Sequence, residues 1–207
     1  LSPEEIQQNY LMNLHKFNST GWNLEINQSM ADLPIGNYTY YATAKNDYNY
    51  ENTTGMYNII QNGVNGCTAI NAPGVYTMNS SINATRSPCI DIAASNVTFD
   101  CQGFLIDGLD NATTKYGILV NRSVPAFANV TIQNCKVTDF NLANIYFGRA
   151  NNNTVTNINS SSSSNGNGIS LVLSNSSTIS SITATSNSNG NGVSLFTSNH
   201  NTLSNIT

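Results

Sequence analysis

The chain has 207 residues, 39% of them hydrophobic and only 9% charged, with a formal net charge of −4. Seven Lys plus Arg, scattered along that length, leave no phosphate-neutralising footprint, which excludes a nucleic-acid partner. So low a charge excludes disorder by self-repulsion, and no apolar run approaches the roughly 18 residues of a membrane span.

The N-terminus opens with Ser2-Pro3-Glu4-Glu5, a capping box with proline at its preferred first helical position. Ile6, Tyr10, Leu14 and Phe17 follow at helical spacing, so a helix is expected from Pro3 to about Lys16, ended by Asn18-Ser-Thr-Gly21. Alternation then replaces that period. Strands are expected at Trp22–Ile26, Asn37–Lys45 and Met56–Ile60, separated by turns at Pro34–Gly36 and over 46–52. The run "LPIGNYTYYATAKNDYNYENTT" resembles the closing strands of immunoglobulin-like modules in microbial surface proteins. It covers about half of such a domain and would leave one sheet face open. Either the helix packs there, or another chain completes it, or the other half is missing. Tyrosines cluster between Tyr38 and Tyr57, where their rings would pack across strands or stack on a sugar or a partner.

From Asn62 the pattern changes, which divides the chain into an N-terminal segment, 1–61, and a repeat region, 62–207. Three copies align at one constant period, starting from Asn144, Gly168 and Gly192. Ile145, Ile169 and Val193 share one position, and Phe147, Leu171 and Leu195 another. Val155, Ile179 and Leu203 match, as do Ile158, Ile182 and Ile206. Upstream, Ile90 and Ile92 look equivalent to Ile118 and Val120, and Val97 and Phe99 to Val130 and Ile132, with turns slightly longer than in the regular copies. Insertions fall at Asp107–Lys115 and Arg122–Ala128. Repeats of this kind read as a solenoid, whose units bury their apolar faces only against neighbours; about six turns are expected. Asn151, Asn175 and Asn199 line up and are expected to form an amide ladder.

The phrases "NVTFDCQGFLIDG", "NVTIQNC", "GISLVLSNSSTISSI" and "GVSLFTSNHNTLSNI" resemble the right-handed parallel β-helix repeat proteins of the pectate-lyase-like superfamily, of the microbial cell-surface type, over about 63–207. The resemblance implies a mainly β chain: a right-handed parallel β-helix preceded by a small helix and a β-sandwich-like segment. It leaves the activity open, because the fold carries lyases, hydrolases, epimerases and inert surface proteins alike.

Four cysteines, Cys67, Cys89, Cys101 and Cys135, have neither the spacing nor the histidines of a zinc site. Sequence separation favours disulfides Cys67–Cys89 and Cys101–Cys135, joining adjacent turns; two other connectivities and four reduced thiols stay open. Sequons occur at Asn18, Asn27, Asn37, Asn52, Asn79, Asn83, Asn96, Asn111, Asn121, Asn129, Asn152, Asn159, Asn175 and Asn205. They read either as glycosylation sites or as chance in an Asn/Ser/Thr-rich chain. With the cysteines they point to an extracellular or cell-surface location.

Charged residues gather ahead of the regular repeats, and beyond Arg149 only His200 can carry charge. Asp107, Asp110 and Lys115 share one inserted loop and are the candidate acids and base of a carbohydrate-cleaving site; the plainer reading is a solvated turn. Only this loop could begin a calcium site, and no metal or cofactor is expected. His200, in an Asn-rich turn, is expected to be exposed and inert. The chain stops part-way through its third copy, so its last turn needs a cap, a continuation or a partner. The function expected is an extracellular structural module of a cell-surface layer, filament or adhesin stalk. Its partners would be copies of itself, other surface proteins or glycans. The alternatives are a polysaccharide lyase or epimerase, or a glycan-binding adhesin.

Overall fold

A computed structural model describes residues 12–16, 22–26, 36–40, 43–45, 51–53, 57–110, 113–121, 127–162, 166–186 and 190–207. Strands and turns account for all of these, with no helix among them. The chain divides into two compact units, 1–34 and 35–207.

In the first unit β1 (Met12–Lys16) and β2 (Trp22–Ile26) form an antiparallel hairpin, with Leu14 opposite Leu24. The helix expected over Pro3–Lys16 is therefore corrected at its C-terminal end. Asn13 and His15 are weak helix formers, and the alternating β2 offers this backbone a full ladder. Residues 3–11 of that expectation lie outside the described residues, as do the side chains of the Tyr38–Tyr57 cluster.

The second unit begins with β3 (Gly36–Tyr40), β4 (Thr43–Lys45), β5 (Glu51–Thr53) and β6 (Tyr57–Val64). β3 pairs antiparallel with β6, and β4 with β5. The solenoid strands follow. They are β7 (Thr68–Ile70), β8 (Gly74–Met78), β9 (Ile82–Asn83), β10 (Ile90–Ile92), β11 (Val97–Asp100), β12 (Leu105–Asp107), β13 (Tyr116–Asn121) and β14 (Phe127–Ala128). Then come β15 (Val130–Thr138), β16 (Ala143–Gly148), β17 (Ala150–Asn151), β18 (Thr154–Ser162), β19 (Asn167–Val172), β20 (Thr178–Ser186), β21 (Val193–Phe196) and β22 (Thr202–Ile206).

These strands stack as a parallel β-solenoid. One sheet holds six of them in the order β7-β10-β13-β16-β19-β21. Along it Thr68, Ile90, Ile118, Ile145, Ile169 and Val193 stand in register. The first three intervals in that series are unequal, and the last two are the same. Six stacked strands bound five intervals in this sheet, so the described solenoid has about five turns, close to the six expected. The second sheet runs β22-β20-β18-β15-β11-β8-β6-β3. β6 crosses positions 61 and 62 and pairs parallel with β8, while β3 turns antiparallel at that edge.

The expected rung equivalences all hold. Ile90 and Ile92 align with Ile118 and Val120, those with Ile145 and Phe147, and Val97 and Phe99 with Val130 and Ile132. Alternation decides which side chains enter the core. These ten, with Ile106, Val137, Val155, Ile158, Ile169, Leu171, Ile179 and Ile182, are buried in one continuous cluster. Each such side chain contributes about 1.5–3 kcal/mol on burial. Phe140 also fills the interior, and Gly117 lets it do so. A Cβ on Gly117 would stand 2.8 Å from the Phe140 ring and 2.6 Å from the Asn144 carbonyl oxygen.

Candidate functional site

The surface groups of the solenoid are set by its corners, and the corners explain the asparagines. Asn96, Asn129, Asn152, Ser176 and His200 form one column of left-handed residues, with φ between +55° and +59°. Asn134, Asn157, Ser181 and Asn205 form a second, at +52° to +55°, and Arg149, Leu173 and Thr197 a third. Asn tolerates this conformation better than other residues with a Cβ, because its short amide bonds locally. The second column bends the long strands β15, β18 and β20 in mid-course. The preceding rung instead breaks into β11 and β12 around Gln102 and Gly103, also at positive φ.

Between the corners, neighbouring rungs are tied by side chains. The Asn175 N–H donates to Asn151 Oδ1 at 2.9 Å, and the Asn199 N–H to Asn175 Oδ1 at 2.7 Å. The expected Asn151–Asn175–Asn199 ladder thus exists with a different chemistry: backbone donors replace the second amide. An amide-to-amide contact does occur at Asn167, whose Oδ1 accepts from Asn191 Nδ2 at 3.3 Å and from the Asn191 N–H at 2.8 Å.

Cys67 is joined to Cys89 and Cys101 to Cys135, each pair across adjacent rungs, with Cα–Cα separations of 4.4 and 4.8 Å. This is the pairing favoured by sequence separation.

The described part of the loop that holds Asp107, Asp110 and Lys115 opens with a turn over 107–110. The half-buried Asp107 accepts the Leu109 N–H on Oδ1 at 2.8 Å, an Asx turn that holds its carboxylate to its own backbone. Asp110 is exposed at φ +50°, directly after Leu109 at +61°. Lys115 is exposed, while its N–H donates to Ser87 Oγ at 2.7 Å and its carbonyl accepts from Leu142 and Ala143. Asp100, buried beside the second disulfide, is tied to the Gln102 N–H, Asn134 Nδ2 and Gln133 Nε2 at 2.8–3.1 Å.

Aromatic and charged groups meet on the outer face of the six-stranded sheet. There Asp91, Leu119, Tyr146 and Ser170 stand side by side on successive rungs. Tyr116 and Tyr146, both half-buried, lie with ring centroids 5.1 Å apart and planes tilted by 53°. Gly148 leaves room beside them: a Cβ there would stand 2.8 Å from both Tyr146 Cε1 and Asn121 Cγ. Burial pushes the Tyr146 hydroxyl above its ordinary pKa, Tyr116 adds to the shift, and Arg149 opposes it. Burial likewise raises the Asp91 carboxyl, against the pull of Arg86. Sequence reasoning passed over these tyrosines because it followed the inward positions. The signal was present in the outward position between Ile145 and Phe147. Comparison with family models, with curated proteins and with solved structures finds no match.

Elsewhere the candidates are plainer. His200 is exposed and occupies a corner otherwise held by Asn or Ser, so it serves as a turn residue. A shallow groove of about 320 Å³ follows the second bend, lined by Gly103, Asn134, Lys136, Asn157 and Asn159 among others. Among the described residues no group of three or more His, Cys, Asp or Glu is placed to hold a metal ion, and no helix is long and apolar enough to cross a membrane. Of the sequons, Asn79, Asn83, Asn96, Asn121, Asn129, Asn152, Asn159 and Asn205 are exposed and Asn175 is half-buried. The other five have side chains outside the described residues. Leu195, Phe196, Leu203 and Ile206 are exposed on the last rung, where continuing chain and a second molecule would cover them alike.

Proposed function

We propose that this chain is an extracellular structural module, a spacer or stalk in a cell-surface layer, filament or adhesin, built on a right-handed β-helix of the pectate-lyase-like type. One observation carries the reading. After Arg149 the outward columns are dominated by uncharged Asn, Ser and Thr, such as Thr154–Thr178–Thr202 and Thr156–Ser180–Ser204, with no acid or base beyond His200. Such a surface offers length and hydration and, His200 apart, no group able to move a proton at neutral pH. Two disulfides suit an oxidising, extracellular setting. Association with further copies or with other surface proteins belongs to the same reading. Electron microscopy of the protein on its native cells, with sedimentation of the purified full-length protein, tests it. Filaments or an ordered layer are expected, and a dispersed monomer at high concentration overturns it.

A second reading has its own support. The face with Tyr116, Tyr146, Asp91, Arg86 and Arg149 combines ring surfaces with charges of both signs, a composition suited to a saccharide. Calorimetric titration of neutral and uronic-acid oligosaccharides, against Tyr146→Ala, reports binding. Product release that vanishes in Asp91→Asn but survives Asp107→Ala and Asp110→Ala would make this face a lyase or epimerase site.

A further inference from the structure

The corners recur with a second feature that turns them into a chemical pattern. Two residues after each first-column corner, the chain places an outward threonine: Thr98, Thr131, Thr154, Thr178 and Thr202 stand in register on five rungs. Where the corner is Asn, the pair spells Asn-X-Thr, at Asn96, Asn129 and Asn152. Ser176 and His200 keep the threonine and lose the sequon. The three sequons therefore share one geometry on three consecutive rungs. Each corner is hydrogen-bonded to the next rung, through the Asn96 N–H to Ala128 O at 3.0 Å, the Asn129 N–H to Asn151 O at 3.2 Å and the Asn152 N–H to Asn175 O at 3.0 Å. All three asparagines are exposed.

We propose that the column Asn96–Asn129–Asn152 is an acceptor edge for N-linked glycans, filled on alternate rungs at Asn96 and Asn152. The proposal rests on the extracellular reading, since it requires passage through a secretory membrane. Nδ2 of Asn96 and Nδ2 of Asn152 each attack C1 of a lipid-phosphate-linked oligosaccharide. The new bond is N–C1, the bond broken is C1–O to the lipid phosphate, and the amide proton leaves with that phosphate. Alternation follows from spacing. Adjacent rungs lie about 4.8 Å apart, too close for two branched sugars side by side, whereas two rungs give about 9.6 Å. The middle amide is also directed along the column, with Asn129 Nδ2 donating to Asn96 Oδ1 at 3.0 Å.

The test is site-occupancy mapping of the full chain secreted from a eukaryotic host, on the folded, monodisperse fraction. Single molecules are expected to carry glycans at Asn96 and Asn152 with Asn129 bare. Thr98→Ala and Thr154→Ala remove the sequons while leaving Asn in the corners. Each is expected to cost one glycan, and the double variant to gain occupancy at Asn129. Glycans on Asn129 together with either neighbour, or all three sites bare, overturn the proposal. The extracellular reading fails separately, if the four cysteines of protein from its natural source are found as free thiols.

Discussion

The solenoid has two halves that solve one problem differently. Up to about residue 140 the rungs follow one another at unequal intervals, as the six-stranded sheet shows, carry insertions, and are joined by one disulfide beside that sheet and one in the other. Beyond it the interval is constant, no cysteine remains, and rung after rung is tied by the same side-chain-to-backbone bonds. The Ala150 N–H donates to Ser174 Oγ and the Ser174 N–H to Ser198 Oγ; the Asn153 N–H donates to Ser177 Oγ and the Ser177 N–H to Asn201 Oδ1. All four bonds span the same sequence separation, 24. A constant period lets one hydrogen bond be copied, so register enforces itself. Variable turns forfeit that copying and hold their register covalently. They also leave room for charge, and the chemically varied face begins there, with Arg86, Asp91 and Tyr116, and ends on the first regular rung at Tyr146 and Arg149.

Removing a staple is the strongest way to break this comparison. Cys101→Ala with Cys135→Ala opens a closed loop with a sequence separation of 34. The expected loss is roughly 4 kcal/mol, from the restored freedom of the unfolded chain. Because each rung contacts only its neighbours, hydrogen exchange should quicken over β8 to β15 and stay near its original rate over β19 to β22. An equal loss of protection in both halves would show one cooperative block instead of two regimes.

The junction between the halves is held by Asn144, which is fully buried where the equivalent rungs have Gly117, Gly168 and Gly192. Its Oδ1 accepts the Phe140 N–H at 3.1 Å. Its Nδ2 lies 2.8–2.9 Å from Val137 O, Ser160 Oγ and Ser161 O. Asn144→Ala strands buried partners at about 1–3 kcal/mol each. Denaturant midpoints should therefore fall clearly. A change within error would mean that water replaces the amide and that the junction needs no special residue.

The repeat region was legible because its signal is inward. Ile, Val, Leu and Phe at fixed spacing name the rungs, and the disulfide pairing follows once adjacent rungs are known. The outward surface was less legible. Asn152 and Asn175 look alike in the sequence, yet one is a left-handed corner and the other a rung tie. Tyr116 and Tyr146 are distant in the sequence and meet only because the intervening turn closes. Met12–Lys16 misled for the opposite reason. Leu14 continues the helical spacing of Ile6 and Tyr10, whereas pairing with Trp22–Ile26 is a non-local contact that no local period reports.

A milder change probes the copied bonds. Asn175→Ala removes the acceptor for the Asn199 N–H at a partly exposed position. A loss of about 0.5–1.5 kcal/mol is expected, the usual worth of one such bond. Exchange should quicken at Asn199 and its neighbours and remain unchanged around the disulfides. A larger or more distant effect would mean that the regular half is held by fewer, stronger ties than its repetition suggests.

The smallest effect expected lies in the irregular half and concerns pH. Burial raises the Asp91 carboxyl above its ordinary value of 3.8 in the folded chain, and Arg86 opposes the shift without reversing it. The folded state therefore holds this proton more tightly than the unfolded state does. Its contribution is fully present below the unfolded pKa, is lost as pH rises through the folded pKa, and is absent above it. In Asp91→Asn that decline disappears, so the thermal midpoint should change less with pH above the ordinary carboxylate value than in the parent chain. Arg86→Ala removes the opposing charge and should steepen the decline. Parallel curves for the parent and Asp91→Asn would mean that the carboxylate on this face is solvated as fully as any surface acid. The chemistry of this face would then rest on the tyrosine pair, which spans the junction of the two halves.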